Sequence, residues 1–277
     1  MISEKYLAGF LDADGSIQVY WRHLDRDKKT PEIQKPYLCL EFSQEIKQDE
    51  VLYLIQRDYG GAISYRERAS GSHLGTLKIF GKPAELILNR IRKFLVIKAA
   101  YADTVLSILR EALNRKETSK WLKEERKKDR TVIQQFPSRK WLAGYIDGDG
   151  CLQARVGKGR TSAQPVIEIC TIDYDRVGID LIQKNFGGSI NIKNGIVKWT
   201  MTMPPSKAIQ LYDYCGQYMI NKKEQLAFIC GCAKMGHFRD GIRINSFLKQ
   251  LKTHQHRLNE PKVDADYYVQ QVVNLSK

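Results

Sequence analysis

The sequence contains no apolar stretch of the roughly 18 residues that a membrane span requires. Its opening, MISEKYLAGF, has neither the charged nor the apolar region of a secretory signal. These absences predict no membrane partner and an intracellular protein, housed in an organelle (chloroplast or mitochondrion) or in prokaryotic or phage cytoplasm. No CxxC pair is present either. The six cysteines (Cys39, Cys151, Cys170, Cys215, Cys230, Cys232) lie singly among apolar neighbours. That pattern indicates neither a disulfide framework nor a zinc ribbon, and predicts buried thiols. Cys230, Cys232 and His237 are close in sequence, but their spacing matches no common metal site. Acidic residues are also in short supply: 31 Asp and Glu against 45 Lys and Arg leave a formal charge of +14. Such a surplus repels basic partners and attracts polyanions, of which nucleic acid is the commonest.

What the chain has in place of these features is an internal repeat. Leu7 to Gly15 (LAGFLDADG) and Leu142 to Gly150 (LAGYIDGDG) align without a gap. The two halves keep step beyond these motifs. PYLCLEFSQ and PVIEICT both alternate as half-buried strands do. DEVLYLIQRDYGGAI and DRVGIDLIQKNFGGSI are helical runs closed by Gly-Gly. More strands follow (ISYRER and TLKIF, then INIK and VKWTMTM), and each half then has a helix opened by proline, near Pro83 and near Pro204 and Pro205. The runs FLVIKAAYADTVLSILREAL and YMINKKEQLAFICGCAKM read as a last helix in each half. The chain is large enough for two such domains. We read residues 1–114 as the first domain, 115–139 as a basic linker and 140–277 as the second domain with an extension from about Gly236. The linker either touches phosphates or is a solvated charged connection.

The motif itself has a physical logic. A helix from about Ser3 to Ala13 puts Leu7 and Leu11 on a core face and Gly9 and Ala13 on another. The second copy places Gly144 and Gly148 at the matching positions, so each helix carries a smooth strip that another backbone can approach. If the two strips pack together, Asp14 and Asp149 come side by side at two helix C-termini. The negative dipole end and the neighbouring like charge both oppose ionisation there. A hard divalent cation resolves the conflict and suits phosphodiester hydrolysis.

These two segments resemble the paired motifs of the LAGLIDADG homing endonucleases, in the single-chain form that would span nearly the whole sequence. The resemblance implies an α/β (α+β) fold of two pseudo-symmetric αββαββα domains, with antiparallel sheets forming a saddle over DNA and the motif helices packed at the domain interface. It implies a monomer that makes a Mg²⁺-dependent double-strand break with short 3′ overhangs in a long, asymmetric target. Asp14 and Asp149 would bind two or three divalent cations, with Ala13 and Gly148 beside them in the ligand set, and Ca²⁺ would substitute in a non-cleaving complex. Lys98 and Lys222 would stabilise charge on the scissile phosphate, or are ordinary helix-terminal lysines. Gln44 would order water, and Thr171 stands at its counterpart, which predicts unequal cleavage of the two strands. Strand parity then exposes Gln18, Tyr20, Arg22, Tyr37, Glu41, Ser43, Ser64, Arg66, Arg68 and Lys78 in the first half. In the second half it exposes Gln153, Arg155, Glu168, Asn191, Lys193, Lys198, Thr200 and Thr202, so that both sets form a major-groove reading surface. Relatives of this kind are commonly encoded within introns, and three rivals stand beside the nuclease: an RNA maturase bound to its host intron, a DNA-binding regulator without cleavage, and a basic adaptor. The intact acids argue against the last two.

Overall fold

The structure is a computed structural model that describes residues 1–23, 34–69, 71, 73–111, 115–126, 138–156, 163–172, 176–202 and 205–234. The expected extension from Gly236, His237 and the second part of the expected linker lie outside the described residues.

The first half runs α1 (Glu4–Asp14), β1 (Gly15–His23), β2 (Gln34–Glu45), α2 (Glu50–Tyr59), β3 (Ala62–Glu67), β4 (His73–Phe80), α3 (Gly81–Ile91) and α4 (Ala99–Glu111). A further helix, α5 (Arg115–Arg126), follows. The second half repeats the order with α6 (Arg139–Asp149), β5 (Gly150–Val156), β6 (Ala163–Ile172), α7 (Val177–Phe186), β7 (Ser189–Lys193), β8 (Ile196–Thr202), α8 (Pro205–Cys215) and α9 (Lys223–Lys234). Each half holds one antiparallel four-stranded sheet, ordered β1-β2-β4-β3 and β5-β6-β8-β7. Among the described residues no helix is long and apolar enough to cross a membrane.

Local chemistry sets the element ends. The Ser3 hydroxyl accepts from the Tyr6 amide and that of Ser138 from the Trp141 amide, so both motif helices start on the same side-chain cap. Gly60 and Gly187 close α2 and α7 at φ of 78° and 77°, a conformation that side chains other than glycine rarely adopt. Strand register follows the expected parity. Leu38, Leu40 and Phe42 face the core without exposure, and the opposite face of β2 carries Tyr37, Glu41 and Ser43.

One apolar core runs through both halves, because the motif helices join them. Glycine permits the contact. A Cβ on Gly9 would lie 2.0 Å from the Trp141 carbonyl oxygen, and one on Gly144 would lie 2.2 Å from that of Tyr6. At the C-terminal ends a Cβ on Gly148 would meet the Ala13 Cβ at 2.4 Å. The small-residue strips are therefore the helix interface.

Two expectations need correction. The final helices begin at Ala99 and Lys223, later than their apolar runs imply, and residues 95–98 and 219–222 are turns instead. Cys151 and Cys170 are exposed, whereas Cys39, Cys215 and Cys230 are buried. The exposed pair stand on the outer face of the second sheet, where Cys151 is opposite Glu168 and Cys170 is opposite Lys198.

Candidate active site

Residues two apart on an α-helix point about 200° away from each other. Each motif carries acids at that spacing, and the helices use both directions. Asp14 ends α1 and turns outward to a cleft, while Asp12 turns inward and is 3 % exposed. In α6 the pair is Asp149 at the helix end and Asp147 fully buried.

The cleft has a volume of about 430 Å³ and lies where the ends of α1 and α6 touch. Asp14, Gln44, Arg68, Gly148, Lys222 and Gln225 are among its walls. The Gln44 amide donates to the Asp14 carboxylate. Asp14 is open to solvent through the cleft yet enclosed on its other sides, and that loss of water raises its pKa against the opposing pull of Lys222, Lys98 and Arg68. Lys222 is buried, and burial lowers its pKa against the opposing pull of Asp147, Asp14 and Asp149. One cation thus feels the terminal acids of both motifs.

The two lysines also finish the helices. The Lys98 ammonium donates to the carbonyls of Leu11 (2.7 Å), Asp12 (2.9 Å), Ala13 (3.3 Å) and Gly15 (2.8 Å). Lys222 donates to the carbonyls of Asp147 and, at 3.3 Å, Gly148. Each offsets the negative end of a helix dipole just where another carboxylate is placed. Lys222 reaches the cleft wall as well.

A divalent cation is tested by its donors. Among the described residues no group of three or more His, Cys, Asp or Glu converges. What the helix ends offer are carboxylate oxygens from Asp14 and Asp149 and the carbonyls of Ala13 and Gly148, each of which keeps a second lone pair beside its lysine contact. An all-oxygen, partly filled shell of this kind fits a hard cation that retains water and phosphate ligands.

Register puts Thr171 where β2 has Gln44: Phe42 pairs with Gly15 and Ile169 with Gly150, two residues before each. The second half therefore has the shorter side chain at this position. Arg68, expected on the reading face, lies at the cleft instead, because it follows β3 in the turn toward β4. Of the expected reading residues, Gln18, Tyr20, Tyr37, Glu41, Ser43, Ser64, Arg66 and Lys78 share one face of the first sheet. Glu168, Asn191, Lys193, Lys198 and Thr200 share the corresponding face of the second. Two of the acids are engaged by neighbours. Glu41 meets Lys78 at 3.2 Å, and Glu168 is buried rather than open, with Lys198 at 2.7 Å. The side chains of Arg22, Gln153, Arg155 and Thr202 lie outside the described residues. Sequence reasoning passed over Asp12, Asp147 and Gln225; the spacing of the two acids in each motif was the signal for the first two.

The family model described as LAGLIDADG endonuclease matches residues 142–234, which hold the second motif, its sheet and α9. The first half repeats that arrangement element for element. Residues 142–234 thus match the LAGLIDADG endonuclease family, and the first half carries the same motif on the same element order. No curated protein matches the sequence. Solved structures similar to it include I-SmaMI bound to uncleaved DNA target in the presence of calcium ions, at 17 % identity and a TM-score of 0.66, with 91 % of this chain and 98 % of that one covered. The LAGLIDADG meganuclease I-AabMI bound to uncleaved DNA gives 16 %, 0.67, 91 % and 98 % for the same measures. The LAGLIDADG homing endonuclease I-GzeII in complex with its DNA target gives 17 %, 0.62, 96 % and 99 %. At these identities the likeness establishes a shared fold, and that fold extends over both halves.

Proposed function

We propose that this protein is a site-specific homing endonuclease of the LAGLIDADG family that cuts both strands of a long, asymmetric DNA target and leaves short 3′ overhangs. The observation that carries the reading is the meeting of two motif helices, which brings Asp14, Lys222 and Gly148 of α6 to one cleft. DNA-bound relatives of the same fold support duplex DNA as the partner. Asp14 and Asp149, with the carbonyls of Ala13 and Gly148, would hold Mg²⁺ in the working enzyme. Bound there, the ion supplies Lewis acidity toward the phosphodiester and makes water acidic enough to react near neutral pH.

The chain's own groups supply the rest. Gln44 holds the Asp14 carboxylate in one orientation. Lys222 sets a buried positive charge in the cleft wall, where developing negative charge on a phosphate is stabilised. The exposed cations of the sheet faces, Arg66 and Lys193 among them, bind backbone phosphate, and the polar strand residues read base edges. A monomer suffices, because both halves of the site lie in one chain.

The test is Asp14→Asn and Asp149→Asn, assayed on a target selected from a randomised DNA library. Each substitution is expected to abolish Mg²⁺-dependent cleavage while folding and DNA binding persist. Cleavage that continues in either variant overturns the reading. Stimulation of intron splicing by the doubly substituted protein would instead assign it a maturase role.

A further inference from the structure

We propose that Asp12 and Asp147 are positioning residues that wire each half of the site to the opposite half. Each is held by an aromatic donor from the other motif helix, and each fixes the lysine-bearing turn of its own domain. The functional part of this inference rests on the endonuclease reading above.

The arrangement is the same twice. Asp147 Oδ2 accepts from the Tyr6 hydroxyl of α1 at 2.7 Å and from the Ile220 amide at 2.6 Å, while Oδ1 accepts from the Lys222 amide at 2.9 Å. Asp12 Oδ2 accepts from the Trp141 indole N–H of α6 at 2.8 Å and from the Val96 amide at 2.7 Å, while Oδ1 accepts from the Lys98 amide at 2.8 Å. The same oxygens serve the same roles, although one donor is a phenol and the other an indole. The Asn221 amide adds a longer contact to Asp147 at 3.3 Å.

Both carboxylates are inaccessible to the cleft, so neither touches a reacting group. Their reach is indirect. The lysines of the turns 95–98 and 219–222 stand just before α4 and α9, where amides lack helical acceptors, and a single carboxylate ties down the lysine amide in each. The lysine side chain then returns to the end of the motif helix from which that aspartate came. Tyr6 is 3 % exposed and Trp141 1 %. Their N–H and O–H groups are buried donors whose partners lie across the interface, so either one ceases to hold its aspartate if the two halves separate.

Amide hydrogen exchange on the full chain tests the wiring without reference to activity. Tyr6→Phe is expected to speed exchange at 220–222 at least tenfold and to leave 96–98 unchanged. Trp141→Phe is expected to do the reverse. Protection that stays unchanged at 220–222 in Tyr6→Phe, or that falls at 96–98 instead, overturns the proposal. A double-substitution cycle then reads the consequence for cleavage. Tyr6→Phe is expected to slow cleavage about tenfold in the native and Lys98→Met backgrounds and to add nothing to Lys222→Met; an equal further loss in both lysine backgrounds overturns it. If the native chain cuts no DNA, the endonuclease reading fails, and the exchange result still decides the wiring. Should Trp141→Phe fail to fold, Trp141→His, which keeps a ring N–H, serves as the second variant and is expected to retain protection at 96–98. Loss of that protection in a folded Trp141→His chain counts against the proposal.

Discussion

Ionising a carboxylate in a protein is unfavourable in proportion to the water it loses, and Asp12 and Asp14 compensate for that loss differently. Asp12 is surrounded by three N–H donors, from Val96, Lys98 and Trp141. An amide at this position has one acceptor oxygen and turns its own N–H₂ toward at least one of those donors. Asp12→Asn is therefore expected to cost about 3 kcal/mol of stability, read as a lower urea midpoint. An unchanged midpoint would show that the cluster contributes little. Asp14 faces the cleft with Gln44 as its donor, and enclosure raises its folded-state pKa. An acid whose pKa is raised by folding favours the native state while protonated, and that contribution declines as pH rises through the folded-state value. Asp14→Asn keeps the neutral condition at every pH. In chelator at pH 7 it is expected to unfold at or above the native midpoint, with the difference closing toward acid. A variant clearly weaker at pH 7 would mean that the ionised carboxylate is stabilised in the fold.

At the scale of elements, the contact between α1 and α6 is made by removing side chains. A Cβ on Gly9 or Gly144 meets a backbone carbonyl oxygen of the opposing helix, and backbone moves only if the helices separate. Gly60 meets a different constraint: a Cβ there has nothing within 4 Å, but φ is 78°. Gly9→Ala is expected to destabilise by at least about 3 kcal/mol, the upper end for overpacking, and to broaden thermal unfolding as the halves uncouple. Gly60→Ala is expected to cost about 1–3 kcal/mol from backbone strain alone, with a single sharp transition. Equal profiles for both would rule out the interface as the cooperative link. The sequence already carried most of this pattern: the repeated motif, the glycine strips and the strand parity each depend on local periodicity. The turns at 95–98 and 219–222 do not. Their amides are satisfied by Asp12 and Asp147, 84 and 86 residues away for Val96 and Lys98 and 73 and 75 for Ile220 and Lys222, and no local preference registers a partner that distant. Glu168 is misread for a related reason, since parity fixes its face but not the depth at which Lys198 covers it.

The whole molecule is two similar halves with unlike sites. Gln44 donates to Asp14, whereas β6 has the shorter Thr171 in the same register. Arg68 reaches the cleft from the β3–β4 turn, and the matching β7–β8 turn is only Asn194 and Gly195, at positive φ, with no room for an equivalent cation. Duplication therefore provided a common frame, and the fusion of the halves let each side of the frame diverge without altering the other. In the endonuclease reading, the positive charge of +14 would hold a duplex across both sheets irrespective of which strand is cut. Cleavage should then be uneven in time while binding is shared. On supercoiled plasmid carrying the target, the enzyme is expected to pass through a nicked circle, and strand-labelled duplex is expected to be cut first on the same strand in every molecule. Gln44→Thr removes one of the two differences and should narrow the ratio of strand rates, whereas Thr171→Ala should leave the order of cutting intact. Equal strand rates in the native protein would mean that water placement at Gln44 and the charge of Arg68 do not limit the reaction.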